Sequence, residues 1–122
     1  MSDQVETAPV KPVVTIDDLD KLDIRVGTIV LVEDVESSKK LIKMTVDFGA
    51  FTRTILSGMK EERENPKAEI EGKQALFVVN LAPRKMAGEL SEGMIYDIGY
   101  EDGIVPVLAV PEKIVPNGVR LG

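Results

Sequence analysis

Hydrophobic and polar positions alternate most regularly between Leu41 and Phe48. Ile42, Met44, Val46 and Phe48 fall on one side, and Leu41, Lys43, Thr45 and Asp47 on the other. A period of two marks a half-buried strand. Gly49-Ala50 follows as a two-residue hairpin connection with glycine at the first central position, which predicts Phe51–Leu56 as the returning strand. Upstream, Ile24, Val26, Thr28, Val30 and Val32 repeat with the same period and predict a long first strand opening at Leu22, with that set on one face. Gly27 inside this strand predicts a bulge or a sharp bend of the kind a barrel corner needs. Residues 74–81 are nearly all apolar and read as a buried central strand. Further strands are expected over 94–98 and over Ile104–Val110, where Pro106 points to a sheet edge. A last short strand is expected around Val119–Leu121.

Two short helices complete the pattern. Thr15 is a good N-cap with Asp17 and Asp18 in the first turn, and Asn65, Pro66 and Gly72 bracket the second helix. Residues 1–14 mix Asp3, Glu6, Pro9 and Pro12 without periodicity and are expected to be a flexible tail, leaving 15–122 as the domain. Three strands, a helix and two strands predict an all-β fold: an OB-fold five-stranded barrel with a short helix between strands 3 and 4. The strands after residue 100 exceed the minimal barrel. An edge strand needs a cover or a partner, so the stretch from about 100 to 122 is expected to be a β extension used for dimerisation.

Composition narrows the chemistry. The 122 residues include no Cys, His or Trp, which excludes a Cys nucleophile, a His base, a Ser-His-Asp triad and the usual zinc sites. No phosphate-loop string and no nucleophile elbow are present around Ser57-Gly58, and Glu61, Glu62 and Glu64 read as solvated surface. The chain is therefore expected to be no enzyme, with no cofactor and no metal. No apolar run approaches the roughly 20 residues of a membrane span, and the polar N-terminus has no signal-peptide pattern. A cytoplasmic protein without a membrane partner is expected.

The net charge of −6 argues against nucleic acid when taken alone. Its distribution argues differently. Residues 37–60 carry five basic groups against Asp47, and residues 73–88 carry three basic groups and no acid. If these windows meet, the fold has a positive face despite its acidity; chance clustering of surface charge gives such windows as well. The first window contains Ser37, Ser38, Lys39, Lys40 and Lys43 just before a strand, which suits phosphate contacts and equally suits a solvated loop. The second leaves a buried strand at Asn80, turns at Pro83, and is expected to set Arg84, Lys85 and Met86 at a loop tip without an acid nearby. Asn80 either braces the loop or meets a base edge. Ser91 either caps the loop or bonds a phosphate; bracing is the commoner fate of such residues.

Here a resemblance becomes specific. Asn80-Leu81-Ala82-Pro83-Arg84-Lys85-Met86, followed by Ser91-Glu92-Gly93-Met94, resembles the signature of the bacterial tRNA-binding domain. That domain is appended to the C-terminus of methionyl-tRNA synthetase and also occurs as stand-alone, structure-specific tRNA-binding proteins. Leu22-Asp23-Ile24-Arg25-Val26-Gly27 resembles its first strand, Ser38-Lys39-Lys40-Leu41 its first loop, Ile55-Leu56-Ser57-Gly58 the end of its third strand, and Pro116-Asn117-Gly118 the ending of its extension. The similarity spans about residues 15–122.

The resemblance implies a homodimeric OB-fold protein that binds tRNA by shape and phosphates, with an aminoacyl-tRNA synthetase as a further partner. It implies Lys39, Lys40, Lys43, Asn80, Arg84, Lys85, Met86 and Ser91 as contacts, with Arg25 either a contact or structural. The synthetase's catalytic motifs are absent. Few aromatics (three Phe and two Tyr) argue against base-stacking platforms and for phosphate readout with little sequence preference. A neighbouring branch of the family resembles a secretion-related chaperone, which offers peptide binding through an apolar groove with Met59 and Met86 as the alternative. A structural subunit that docks a synthetase is a third reading.

Overall fold

The computed structural model describes residues 5–122. Of the segment expected to be a tail, residues 1–4 lie outside the described residues, and 5–14 carry no regular secondary structure. Helix α1 (Ile16–Leu19) starts at Thr15 with a capping box: Thr15 Oγ1 accepts from the Asp18 N–H, and Asp18 accepts from the Thr15 N–H. Strands β1 (Ile24–Asp34), β2 (Ile42–Asp47) and β3 (Thr52–Ser57) follow, then helix α2 (Pro66–Ile70) and strand β4 (Gln74–Val78). Asn65 caps α2 by accepting from the Ala68 N–H, Pro66 occupies its first turn, and Gly72 leaves it at φ +90°.

Beyond β4 come β5 (Arg84–Met86), β6 (Glu89–Ser91), β7 (Met94–Ile95), β8 (Asp97–Ile98), a 3-10 turn at Tyr100–Asp102 and β9 (Val107–Leu108). The main sheet is antiparallel and runs β3-β2-β1-β4-β7; β5 pairs with β6, and β8 with β9. It curls into a nearly closed five-stranded barrel of the OB type. The β2–β3 hairpin is as the alternation predicts. Ile42, Met44, Val46 and Phe48 are buried, Gly49-Ala50 is the turn, and the Phe48 N–H bonds the Phe51 carbonyl at 2.9 Å.

The first strand departs from its expected face. Pairing with β2 shifts register between Ile29 and Leu31, so Val30 is the extra residue of a bulge and is 46% exposed, whereas Ile29 is fully buried. Val26 is buried as well but lies outside the central cluster, its backbone bonded to Gly118 and Val119 of the C-terminal segment. Gly27 is not the bulge. A Cβ there would lie 2.6 Å from Val46 Cγ1 and 2.7 Å from Phe48 Cε1, so glycine makes room for the core. Phe48 meets Phe77 edge-on at 5.4 Å within that core, and fully burying a ring of this size is worth about 1.5–3 kcal/mol.

The C-terminal half is more broken than the pattern suggests. The strand expected over 94–98 splits into β7 and β8, and of Ile104–Val110 only Val107–Leu108 pairs. The Val119–Leu121 stretch takes the edge of β1 that β2 leaves free: the Val26 N–H bonds Val119 O at 3.0 Å, and the Leu121 N–H bonds Ile24 O at 2.9 Å. Asn117 anchors this run, its Oδ1 accepting from Thr28 Oγ1 at 2.8 Å and Gln74 Nε2 at 2.9 Å. Among the described residues, no helix is long and apolar enough to cross a membrane.

Candidate nucleic-acid interface

The segment expected to be a loop tip is a hairpin. Arg84, Lys85 and Met86 form β5, and the tip is Ala87-Gly88, both at positive φ (50° and 80°). Positive φ at both central residues is what a tight hairpin turn of the right twist requires. The expectation that no acid lies nearby also fails. Glu89 stands opposite Met86 in the ladder and reaches Lys43 at 3.5 Å. The strands escaped sequence reading because each is three residues long and mixed in polarity; the Ala-Gly turn between them was the available signal.

This hairpin lies along β3 and brings the two basic windows together. Ser37 Oγ, in the loop between β1 and β2, donates to Ala87 O at 3.3 Å, and the Lys43–Glu89 pair ties β2 to β6. Lys39, Lys40, Arg84 and Lys85 are all exposed. The ion pairs among the described residues involve Lys21, Arg25, Lys43, Lys60, Arg63 and Lys67, so those four cations have no carboxylate partner there. Lys60 belongs to the scaffold. Its ammonium donates to Val35 O at 2.9 Å and Ser38 O at 2.7 Å and pairs with Asp34, which shapes the basic loop from beneath.

The remaining candidates carry structure. Ser91 is 4% exposed; its hydroxyl accepts the Leu56 N–H at 3.0 Å and donates to Gly93 O at 3.2 Å. Next to it, Glu92 accepts the Thr54 N–H on Oε1 at 2.9 Å while its own N–H bonds Thr54 O at 2.8 Å. These two residues stand in for strand ladder and close the barrel between β3 and β7. Asn80 Oδ1 accepts the Asp23 N–H at 2.8 Å and its Nδ2 donates to Lys21 O at 2.7 Å, so both ends of the amide brace the entry to β1. Arg25 makes a two-pronged pair with Asp23 at 2.9 and 3.0 Å, which holds the Asp23 carboxyl below the usual carboxylate range. Met86 is half-buried. Met59 is 3% exposed and sits in the core, which removes it from any surface groove.

Among the described residues, no aromatic lies in the β1–β2 loop or the β5–β6 hairpin, and half-buried Tyr96 sits between β7 and β8 with its N–H on Leu76 O. Phe48 and Phe77 are buried, Phe51 is half-buried against Phe48 with its centroid 5.3 Å away, and exposed Tyr100 belongs to the C-terminal extension. The arrangement offers ammonium and guanidinium groups and backbone donors, the chemistry of phosphate contacts, and lacks the stacking surfaces that read single strands.

Comparison with known proteins gives a consistent picture. The family described as "Putative tRNA binding domain" matches residues 24–120. The methionine–tRNA ligase of Bacteroides fragilis is 40% identical over 109 residues, covering 89% of this chain and 16% of the ligase. The chain thus spans a small part of the curated relatives it matches. Among solved structures, a MetRS-related protein from Pyrococcus horikoshii aligns with a TM-score of 0.83 at 38% identity, over 92% of this chain and 100% of that one. The chaperone CsaA of Bacillus anthracis aligns with a TM-score of 0.77 at 28% identity, over 91% of this chain and 100% of that one.

Proposed function

Because the chain belongs to the putative tRNA-binding domain family, we propose that it is a non-catalytic module that binds folded tRNA through phosphates, related to the C-terminal domain of methionyl-tRNA synthetase. One observation carries the reading. Lys39, Lys40, Arg84 and Lys85 are exposed without carboxylate partners among the described residues, on two segments joined by the Ser37–Ala87 hydrogen bond. Phosphates neutralised by these groups release counterions, so binding falls steeply with salt. Without rings to stack on, the contacts follow the spacing of the backbone, and a bent, folded RNA is preferred over a linear one.

The protein acts as a homodimer in this reading. The extension exposes Val105, Val107, Val110 and Ile114, the last 80% exposed, an apolar surface suited to a second copy. Two copies related by a two-fold axis hold two basic sites on one RNA, which raises effective concentration without new contacts. An aminoacyl-tRNA synthetase is the expected protein partner.

The likeness to CsaA favours a second reading, a peptide-binding chaperone. Buried Met59 takes away one of the two methionines such a groove would use. A fluorescence-anisotropy titration of whole folded tRNA, with linear RNA of matched length as competitor, separates the two. Salt-sensitive binding that linear RNA fails to displace is expected. Absence of tRNA binding at low salt, together with suppression of aggregation of an unfolded client, would transfer the role to the chaperone reading.

A further inference from the structure

A second group of cations lies away from the basic loops, at the mouth of the barrel where β1 and β3 begin. Arg53 opposes buried Val46 in the β2–β3 ladder, so it points to the inner side of the sheet, as do Phe48 and Phe51. The Arg53 and Arg25 guanidinium carbons lie 5.0 and 5.8 Å from the Phe51 ring centroid. Both cations therefore rest against one aromatic ring, a contact that orients a planar guanidinium. Arg120 stands directly opposite Arg25 in an antiparallel bridge. Like charges so placed repel, and natural ladders avoid them unless something offsets the cost.

Among the described residues, Asp23 is the one carboxylate that faces all three cations, its pKa lowered first by hydrogen bonds from Arg25 and further by the charges of Arg120 and Arg53. Asp23 is engaged by Arg25 through both carboxylate oxygens. Arg53 and Arg120 make no ion pair there, although the chain has 21 acidic residues against 15 basic ones. Arg53 spends one nitrogen, Nη1, on Val79 O and Glu92 O at 3.0 and 2.9 Å, which pins both ends of the segment carrying the β5–β6 hairpin. The mouth is thus built into the root of the basic hairpin.

We propose that this mouth is a second phosphate site, in which Arg53 and Arg120 take up a phosphate beside the Arg25–Asp23 pair. In the setting of the proposed function, on which this part of the inference rests, the phosphate is a backbone diester of the bound RNA. A free phosphate compound offers the same tetrahedral anion. Guanidinium forks suit it through paired N–H donors, and the half-buried Phe51 ring holds those of Arg25 and Arg53 in place. The site differs from the lysine-rich loops in that two of its three guanidiniums, Arg25 and Arg53, are half-buried and held against a ring, while Arg120 is exposed beside them.

Arg120 is the residue to change, since it is exposed and its side chain has no hydrogen-bond partner among the described residues, while Arg53 also holds the scaffold. Two titrations of the full chain test the site. In the first, inorganic phosphate is added against chloride at matched ionic strength, and the arginine Nε–H resonances are followed by NMR. Saturable shifts of Arg53 and Arg120 that vanish in Arg120→Glu are expected. In the second, folded tRNA is titrated into wild type, Arg120→Lys and Arg120→Glu. Charge reversal should weaken binding about tenfold at low salt and flatten the salt slope by about one, with Arg120→Lys in between.

Both effects together support an RNA phosphate at the mouth. Shifts with inorganic phosphate but unchanged tRNA binding identify a free phosphate compound as the ligand. A tRNA effect without inorganic phosphate shifts means that the diester is taken only in the context of the larger RNA contact. If wild type binds no tRNA at all, the proposed function falls while the phosphate titration still reads the site. Silence of the arginine resonances, with wild-type tRNA affinity in Arg120→Glu, overturns the inference.

Discussion

The two strands of one hairpin use their polar side chains in opposite ways. On β5, Arg84 and Lys85 are exposed and without carboxylate partners among the described residues. Across the ladder, Ser91, which stands opposite Arg84, and Glu92 just after β6 spend their side chains on the Leu56 and Thr54 amides and close the barrel beside β3. Both belong to the same block of family-like sequence. A shared motif therefore mixes scaffold with site, and only the fate of each polar atom separates them. Groups whose hydrogen bonds are already made contribute to stability; groups left free are available to a ligand.

The sharpest break in this comparison comes from the scaffold side. Gly118 sits at φ +92°, and a Cβ there would run into the Phe48 carbonyl. Gly118→Ala should cost more than about 2 kcal/mol through combined backbone strain and overlap, read as a drop of roughly 10 °C in thermal midpoint. Ser91→Ala comes next. It leaves the buried Leu56 N–H without its acceptor, a loss of about 1–3 kcal/mol. Faster hydrogen exchange at the Leu56 amide should accompany it; unchanged exchange would mean that the seam does not depend on this hydroxyl.

Acid gives a smaller, graded test. Asp23 is held below the usual carboxylate range chiefly by hydrogen bonds from Arg25, Glu69 by the Asn65 N–H, and Glu71 by Lys67. A carboxylate depressed in the folded state stabilises above its unfolded pKa, and that contribution disappears as pH falls through the folded value. Denaturation midpoints should be level from neutrality down to the ordinary carboxylate range, then decline below about pH 4. The smallest stability effect belongs to the exposed face of β5. The double variant Arg84→Ala/Lys85→Ala should unfold within about 0.5 kcal/mol of wild type, and a larger loss would show that these residues are scaffold too.

Much of this was legible in the sequence, for identifiable reasons. The β2–β3 hairpin followed from strict alternation around Gly49-Ala50, and both helix starts followed from Thr15 and Asn65, since caps and turns are local chemistry. The first strand was half misread because a bulge at Val30 exchanges faces without altering composition. Gly27 predicts a bulge or a bend from sequence alone; the bulge falls at Val30 instead, and the Phe48 ring that crowds Gly27 lies outside its strand. The basic loops stood out as charge windows, yet their meeting depends on the Ser37–Ala87 contact between residues far apart in the chain. The roles of Ser91, Asn80 and Asn117 were hidden for the same reason: their hydrogen-bond partners are remote in sequence.

The central claim is that the free cations of the β1–β2 loop and the β5–β6 hairpin meet the phosphates of a folded tRNA. Its most direct test is the slope of log K against log salt for tRNA binding, in wild type and in Arg84→Ala/Lys85→Ala. The account predicts weaker binding of every tRNA by a similar factor and a slope shallower by about two, with stability unchanged. Equal affinity and equal slope in the two proteins would contradict it.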